Sequence, residues 1–211
     1  MSPQISIERL VVGQMQANCY LISASNGQVI IIDPGDDASF INQKILDNKF
    51  TPVCILATHG HFDHIMAAFE VQKTWKIPFL INNADTFLVK RLNDSAQHFL
   101  ENNLLYFTPT IDGNLLDRQT ISLESQKLKV LATPGHTPGS VCISLDRQKI
   151  LITGDTLFAN GGVGRTDFIY SSRELLDTSL HKIFLFSPDT QILPGHGEYS
   201  SLEKEARFHE V

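Results

Sequence analysis

A chain of 211 residues, 42% apolar and 19% charged, can bury a substantial core, and one domain spanning residues 1–211 is expected. No apolar run approaches the roughly 18 residues of a helical membrane span, which argues against an integral membrane protein. The net charge of −6, without any Lys/Arg run, argues against a nucleic-acid-binding surface.

Met1-Ser2-Pro3-Gln4-Ile5 has no basic segment leading into an apolar stretch and a cleavage site, so the cytoplasm is the expected compartment. Cys19, Cys54 and Cys142 are scattered among apolar residues, a pattern that suits reduced core thiols better than a disulfide framework.

Ile5 to Val12, Asn18 to Ser23 and Val29 to Ile32 read as strands, the last two joined through a Ser25-Asn26-Gly27 turn. Asp33-Pro34-Gly35 stops the third strand, and Asp33 is either a turn former or a residue that orients a metal ligand. A short amphipathic helix carrying Phe40, Ile41 and Ile45 follows, then a buried strand, Val53 to Ala57. That strand feeds Thr58-His59-Gly60-His61-Phe62-Asp63-His64, three imidazoles and a carboxylate on a predicted strand-to-helix loop. Helix capping needs one such residue at most, so the cluster points to metal, and its geometry suits two adjacent ions better than one.

A helix from Ile65 to about Trp75, a strand at Pro78 to Ile81 and a helix from Asp85 to Leu92 come next. Residues 93–119 show no clean period and read as an irregular excursion, either at the mouth of the site or as a packing insertion. Strands are then expected at Ile121 to Leu123, Leu128 to Ala132, Val141 to Leu145, Ile150 to Thr153 and Gln191 to Leu193. Ser171-Ser172-Arg173-Glu174 resembles a capping box opening a helix with Leu175, Leu176, Leu180, Ile183 and Phe184 on its apolar face. Ser200 to Phe208 reads as a terminal helix.

Four loops at predicted strand ends therefore hold the candidates: His59, His61, Asp63 and His64; His136 in a Gly/Pro turn; Asp155; and His196 in a second Gly/Pro turn. A solitary His or Asp after a strand is usually a satisfied polar residue, but their joint occurrence favours a metal site. His98, His181 and His209 have no such partners and are taken as ordinary residues.

On these residues the chain resembles the metallo-β-lactamase fold superfamily, matching its HxHxDH signature and later His, Asp and His. The resemblance implies an α+β fold, a four-layer αββα sandwich of two mixed β-sheets flanked by helices. Carried over position by position, it implies His59, His61 and His136 on one divalent ion, Asp63, His64 and His196 on a second, and Asp155 bridging them. Zinc is the expected metal, with iron or manganese as alternatives, and a hydroxide bridging the ions is the expected nucleophile.

Gly154-Asp155-Thr156-Leu157-Phe158 and Gly164-Arg165-Thr166-Asp167-Phe168 look most like the short bacterial glyoxalase II-like branch. The C-terminal helical glutathione-binding domain of the longer enzymes is not expected here. The implied substrate is a small thioester, S-D-lactoylglutathione or a related acyl thiol. Arg165 either clamps a substrate carboxylate or pairs with Asp167, and Tyr199 loosely resembles a substrate-contacting tyrosine. The main alternative is a persulfide dioxygenase with one iron on His59, His136 and Asp155. A β-lactamase, whose bridging position is usually Cys or Ser, a nuclease and a non-enzymatic metal module fit less well. The oligomeric state is open.

Overall fold

The computed structural model describes residues 5–209; Met1 to Gln4, on which the expected compartment rests, lie outside them. The N-terminal half forms β1 (Ser6–Val12), β2 (Ala17–Ser23), β3 (Gln28–Ile32), α1 (Ala38–Asp47), β4 (Thr51–Leu56), α2 (Phe62–Ile65) and α3 (Ala68–Trp75). It continues with β5 (Phe79–Ile81), α4 (Thr86–Lys90), α5 (Leu92–Phe99) and β6 (Ile111–Asn114). The C-terminal half forms β7 (Thr120–Leu123), β8 (Gln126–Ala132), β9 (Val141–Leu145), β10 (Ile150–Gly154), α6 (Arg173–Ile183), β11 (Gln191–Pro194), β12 (Ser200–Ser201) and α7 (Leu202–Glu205).

Strands β1 to β6 make one sheet in chain order, antiparallel from β1 to β3 and parallel from β3 to β6. Strands β7 to β12 make the second, in which only the β10–β11 pair is parallel. The layering follows from side-chain alternation. In β2 and β3, Cys19, Leu21, Val29 and Ile31 face a core shared with Ile41 and Ile45 of α1 and Val71 of α3. Their alternates Tyr20, Ile22, Ile30 and Ile32 face Leu128, Val130, Ile143 and Leu145 of the second sheet. On that sheet's far side Cys142, Leu151 and Ile192 pack beneath Leu176, Leu180 and Ile183 of α6. Three apolar layers between four structural layers make the αββα sandwich, and they explain why these strands read as continuous apolar runs. All three cysteines are free and buried.

Several local expectations need correction. The helix after the histidine motif begins at Phe62, with His61 at its N-cap, so Asp63 and His64 sit in its first turn and not in a loop. Residues 93–119 are partly ordered into α5 and β6. Their periodicity is hidden because α5 buries only Leu92 and Ala96, while β6 is the polar edge segment Ile111-Asp112-Gly113-Asn114. The N-cap of α6 is Ser172, whose hydroxyl accepts from Leu175 N, so Glu174 is one position short of closing a capping box. Phe40 and Leu175 point outward, 43% and 47% exposed. The terminal helix is confined to α7, because Ser200 and Ser201 pair with β11.

Strands β3 and β4 are parallel, as are β10 and β11, and β8 shares the β10 direction because both are antiparallel to β9. The loops leaving these five strands carry Asp33, the histidine motif, His136, Asp155 and His196. Main-chain bonds stitch the two groups of loops together: Asn18 N to Gly195 O at 2.7 Å and Val141 N to Thr58 O at 2.8 Å. Among the described residues no helix is long and apolar enough to cross a membrane.

Candidate metal centre

The loops are shaped by close backbone approach. A Cβ on Gly195 would lie 2.2 Å from Asp155 Oδ1, so only glycine lets the His196 loop pass beside that carboxylate. A Cβ on Gly60 would meet Leu88 Cβ at 2.9 Å and Asp85 Cβ at 3.0 Å.

Within this frame six of the seven expected residues come together in two triads, with Asp155 between them. His59, His61 and His136 form one and Asp63, His64 and His196 the other, and in each the donor atoms lie within 4.8 Å of one another. In the first, His61 Nδ1 stands 3.1 Å from His59 Nε2 and 2.9 Å from His136 Nε2. In the second, His196 Nε2 stands 3.2 Å from both His64 Nε2 and Asp63 Oδ2. Asp155 lies between them: Oδ2 is 3.6 Å from His136 Nε2 and 3.8 Å from His196 Nε2, and Oδ1 is 3.3 Å from His64 Nε2.

The outward ring nitrogens fix what faces inward. His64 Nδ1 meets Asp33 Oδ2 at 3.0 Å and His136 Nδ1 meets the Arg165 carbonyl at 2.8 Å, so both donate outward and present an Nε2 lone pair inward. Thr58 Oγ1 donates to Asp33 Oδ2 at 2.6 Å, which leaves it to accept from His59 Nδ1 at 3.1 Å. His59 Nε2 therefore also faces inward unprotonated. The lone pairs of His59 and His136 face the first triad and that of His64 the second, with the Asp63 and Asp155 carboxylates alongside, and Asp155 Oδ1 is buried without a hydrogen-bond partner. Nitrogens sharing one tetrahedral ion at about 2.0–2.1 Å stand about 3.3 Å apart, close to the spacings here. The donor set fits divalent metal ions. Asp33, besides ending β3, bonds His64 Nδ1 and Thr58 and so sets the orientation of the His64 ring.

Electrostatics agree. Burial pushes His59 well below its ordinary pKa, and burial with neighbouring His136 lowers His61 to about 3, so both favour neutral imidazole. Burial works the other way on Asp155 and Asp63, yet the adjacent histidines, His64 foremost with His196 and, for Asp155, His59, together outweigh it and hold Asp63 below, and Asp155 well below, the usual carboxylate range. Asp155 and Asp63 raise His64 well above its ordinary value against burial, and Asp63 and Asp155 raise His196, so without an ion these carboxylates hold a proton on the second triad that metal binding would displace to free the Nε2 lone pair. The site draws positive charge.

Two contributors carried no signal in the sequence. Tyr170 places its hydroxyl 2.9 Å from His61 Nε2. Asp85, fully buried, accepts from Gly60 N at 2.8 Å, Gly139 N at 2.7 Å and Thr137 Oγ1 at 2.7 Å, clamping the His59–His61 loop to the His136 loop.

A cleft of about 400 Å3 opens over the cluster and is lined also by Met15, Phe62, Phe99, Phe158, Phe168 and Tyr170. Arg165 stands at its rim, with Nε and Nη2 on the Asp167 carboxylate at 2.6 and 2.5 Å. Tyr199 is not among the lining residues; its ring lies 4.8 Å under the Arg9 guanidinium.

A Metallo-beta-lactamase superfamily model matches residues 12–196, and the chain belongs to that family. It is 39% identical over 204 residues to a probable metallo-hydrolase, YqgX, of Bacillus subtilis, covering 90% of this chain and 89% of the relative. It is 34% identical over 211 residues to a hydroxyacylglutathione hydrolase, GloC, of Haemophilus influenzae, covering 96% of each. Among solved structures, BLEG-1, a B3 metallo-beta-lactamase, superposes with a TM-score of 0.88 at 28% identity, over 96% of this chain and 97% of the other. A di-iron-bound form of TTHA1623 superposes with a TM-score of 0.85 at 29% identity, over 96% and 98%.

Proposed function

We propose that this protein is a binuclear metallohydrolase that cleaves a thioester, S-D-lactoylglutathione or a related acyl thiol. Membership of a metallo-hydrolase family supports a hydrolase-type enzyme, and the likeness to GloC supports a thioester. The observation that carries the two-ion reading is the pair of triads flanking Asp155. His59, His61 and His136 would hold one ion and Asp63, His64 and His196 the other, with Asp155 placed between the two sets. Zinc is the proposed metal, and the di-iron relative makes iron the alternative to test, ahead of manganese.

Two divalent ions, when bound, lower the pKa of water from about 15.7 towards about 7 and polarise a carbonyl. The chain's own groups do the rest. Asp33, Thr58 and the Arg165 carbonyl keep His64, His59 and His136 in the tautomer with Nε2 free. Overall, water's oxygen joins the acyl carbon, the C–S bond breaks, and the thiol leaves. A thiolate of parent pKa about 8.5 departs without a strong general acid. We place the enzyme in the cytoplasm acting on a small molecule.

The persulfide dioxygenase alternative uses His59, His136 and Asp155 alone. The assembled Asp63, His64 and His196 set favours two ions over that one-iron reading.

The test is hydrolysis of S-D-lactoylglutathione, followed as loss of thioester absorbance, by protein loaded separately with zinc and with iron. Turnover that depends on metal and is abolished in His61→Ala supports the reading. No turnover in either form overturns this substrate assignment and makes oxygen consumption with glutathione persulfide the next assay.

A further inference from the structure

We infer that, among the related acyl thiols, the cleft selects its substrate through an apolar acyl group and not through an anionic thiol carrier, an inference that rests on the thioester-hydrolase reading above and makes S-D-lactoylglutathione a poor member of that class. Two stacked aromatic pairs stand at the cleft. Phe62 and Phe99 have ring centroids 5.5 Å apart and planes 7° from parallel; Phe168 and Tyr170 stand 5.2 Å apart at 11°. Phe168 lies 5.3 Å from the His61 ring and Phe158 lies 6.2 Å from the His196 ring, so aromatic surface reaches both triads. Phe99 and Met15 remain 45% and 41% exposed. Such surface beside a reactive centre gains by being covered with an apolar group.

Charge points the same way. A glutathione-like carrier brings carboxylates, whose recognition calls for unoccupied guanidinium or ammonium groups. Among the described residues lining the cleft, the one cation is Arg165, and both arms of its fork already lie on Asp167 while its plane covers the Phe168 ring at 4.5 Å. Arg9, beyond the lining, is likewise held by Glu198 at 3.1 Å. At Arg165 a carrier carboxylate would have to displace Asp167, whereas an apolar acyl group meets ring surface directly.

The experiment compares acetyl, octanoyl and benzoyl thioesters of neutral N-acetylcysteamine, and the same acyl groups on glutathione, with metal-loaded protein. We expect kcat/KM to rise at least about tenfold from acetyl to benzoyl or octanoyl on either thiol, since apolar increments in such pockets give roughly 10–200-fold. Exchanging the thiol should change it by less than about threefold. A flat response to the acyl group, or a tenfold gain from glutathione with every acyl group, overturns this inference and leaves thioester hydrolysis standing. No turnover of any of these thioesters overturns both. Phe168→Ala should lower the benzoyl-to-acetyl ratio by about tenfold, with Phe168→Leu restoring part of it; an unchanged ratio contradicts the proposed seat. Calorimetry of the product acids reads the same seat without turnover: benzoate should bind about tenfold more tightly than acetate, and equal affinity overturns the inference.

Discussion

Asp85 accepts the main-chain N–H of Gly60 at 2.8 Å, and Gly60 lies between His59 and His61. The same carboxylate accepts from Gly139 N and Thr137 Oγ1 beside His136, so one buried side chain sets the distance between the loops that carry the first triad. Asp85→Asn keeps the shape but turns an N–H2 towards some of these donors. We expect a loss of about 1–3 kcal/mol in stability from the groups left unpaired. Metal should be lost first from the His59, His61 and His136 set. Urea unfolding and the visible spectrum of the cobalt-substituted protein check the two effects separately.

Asp33 acts on the second triad, bonding His64 Nδ1, Thr58 N and Thr58 Oγ1 at once. An amide at this position has only one acceptor oxygen, so Asp33→Asn leaves either His64 or Thr58 facing a donor. Metal affinity is expected to fall about 10–100-fold, measured by titration against a competing chelator.

Tyr170→Phe removes the hydroxyl at His61 Nε2 while keeping the ring stacked on Phe168. A decrease of roughly tenfold in metal affinity or turnover is expected, with little change in the urea midpoint of the metal-free protein. Comparing metal-free and loaded forms separates the two readouts.

Metal removal itself should destabilise the chain. An ion bound only by the folded state at about 1,000 times its dissociation constant contributes about 4 kcal/mol. Chelation should therefore lower the thermal midpoint reversibly, and re-addition of zinc should restore it.

The legibility of these features in the sequence differs for physical reasons. Val29 to Ile32 and Val141 to Leu145 announce buried strands because both their faces are apolar, and His136 and His196 stand out because Gly and Pro surround them. Residues 93–119 hid a helix and an edge strand because α5 buries so few residues and β6 is held partly by polar bonds, such as Gln72 Nε2 to Asp112 Oδ2 at 2.7 Å. Asp85 was illegible as a clamp because an Asp at a helix start reads as a cap. It is the N-cap of α4 but caps nothing, its oxygens being committed to loops 25 and 54 residues away. Tyr170 reaches His61 across 109 residues, a proximity that only the packed fold creates.

Counting ions against rate is the most direct test of a centre built from two triads around Asp155. Metal-free protein would be titrated with zinc and, in parallel, iron, recording bound metal per chain and thioester hydrolysis at each step. The two-triad centre predicts that hydrolysis reaches its plateau only as the second ion binds. A plateau at one ion per chain, unchanged when His196→Ala removes a donor of the second triad, would contradict it.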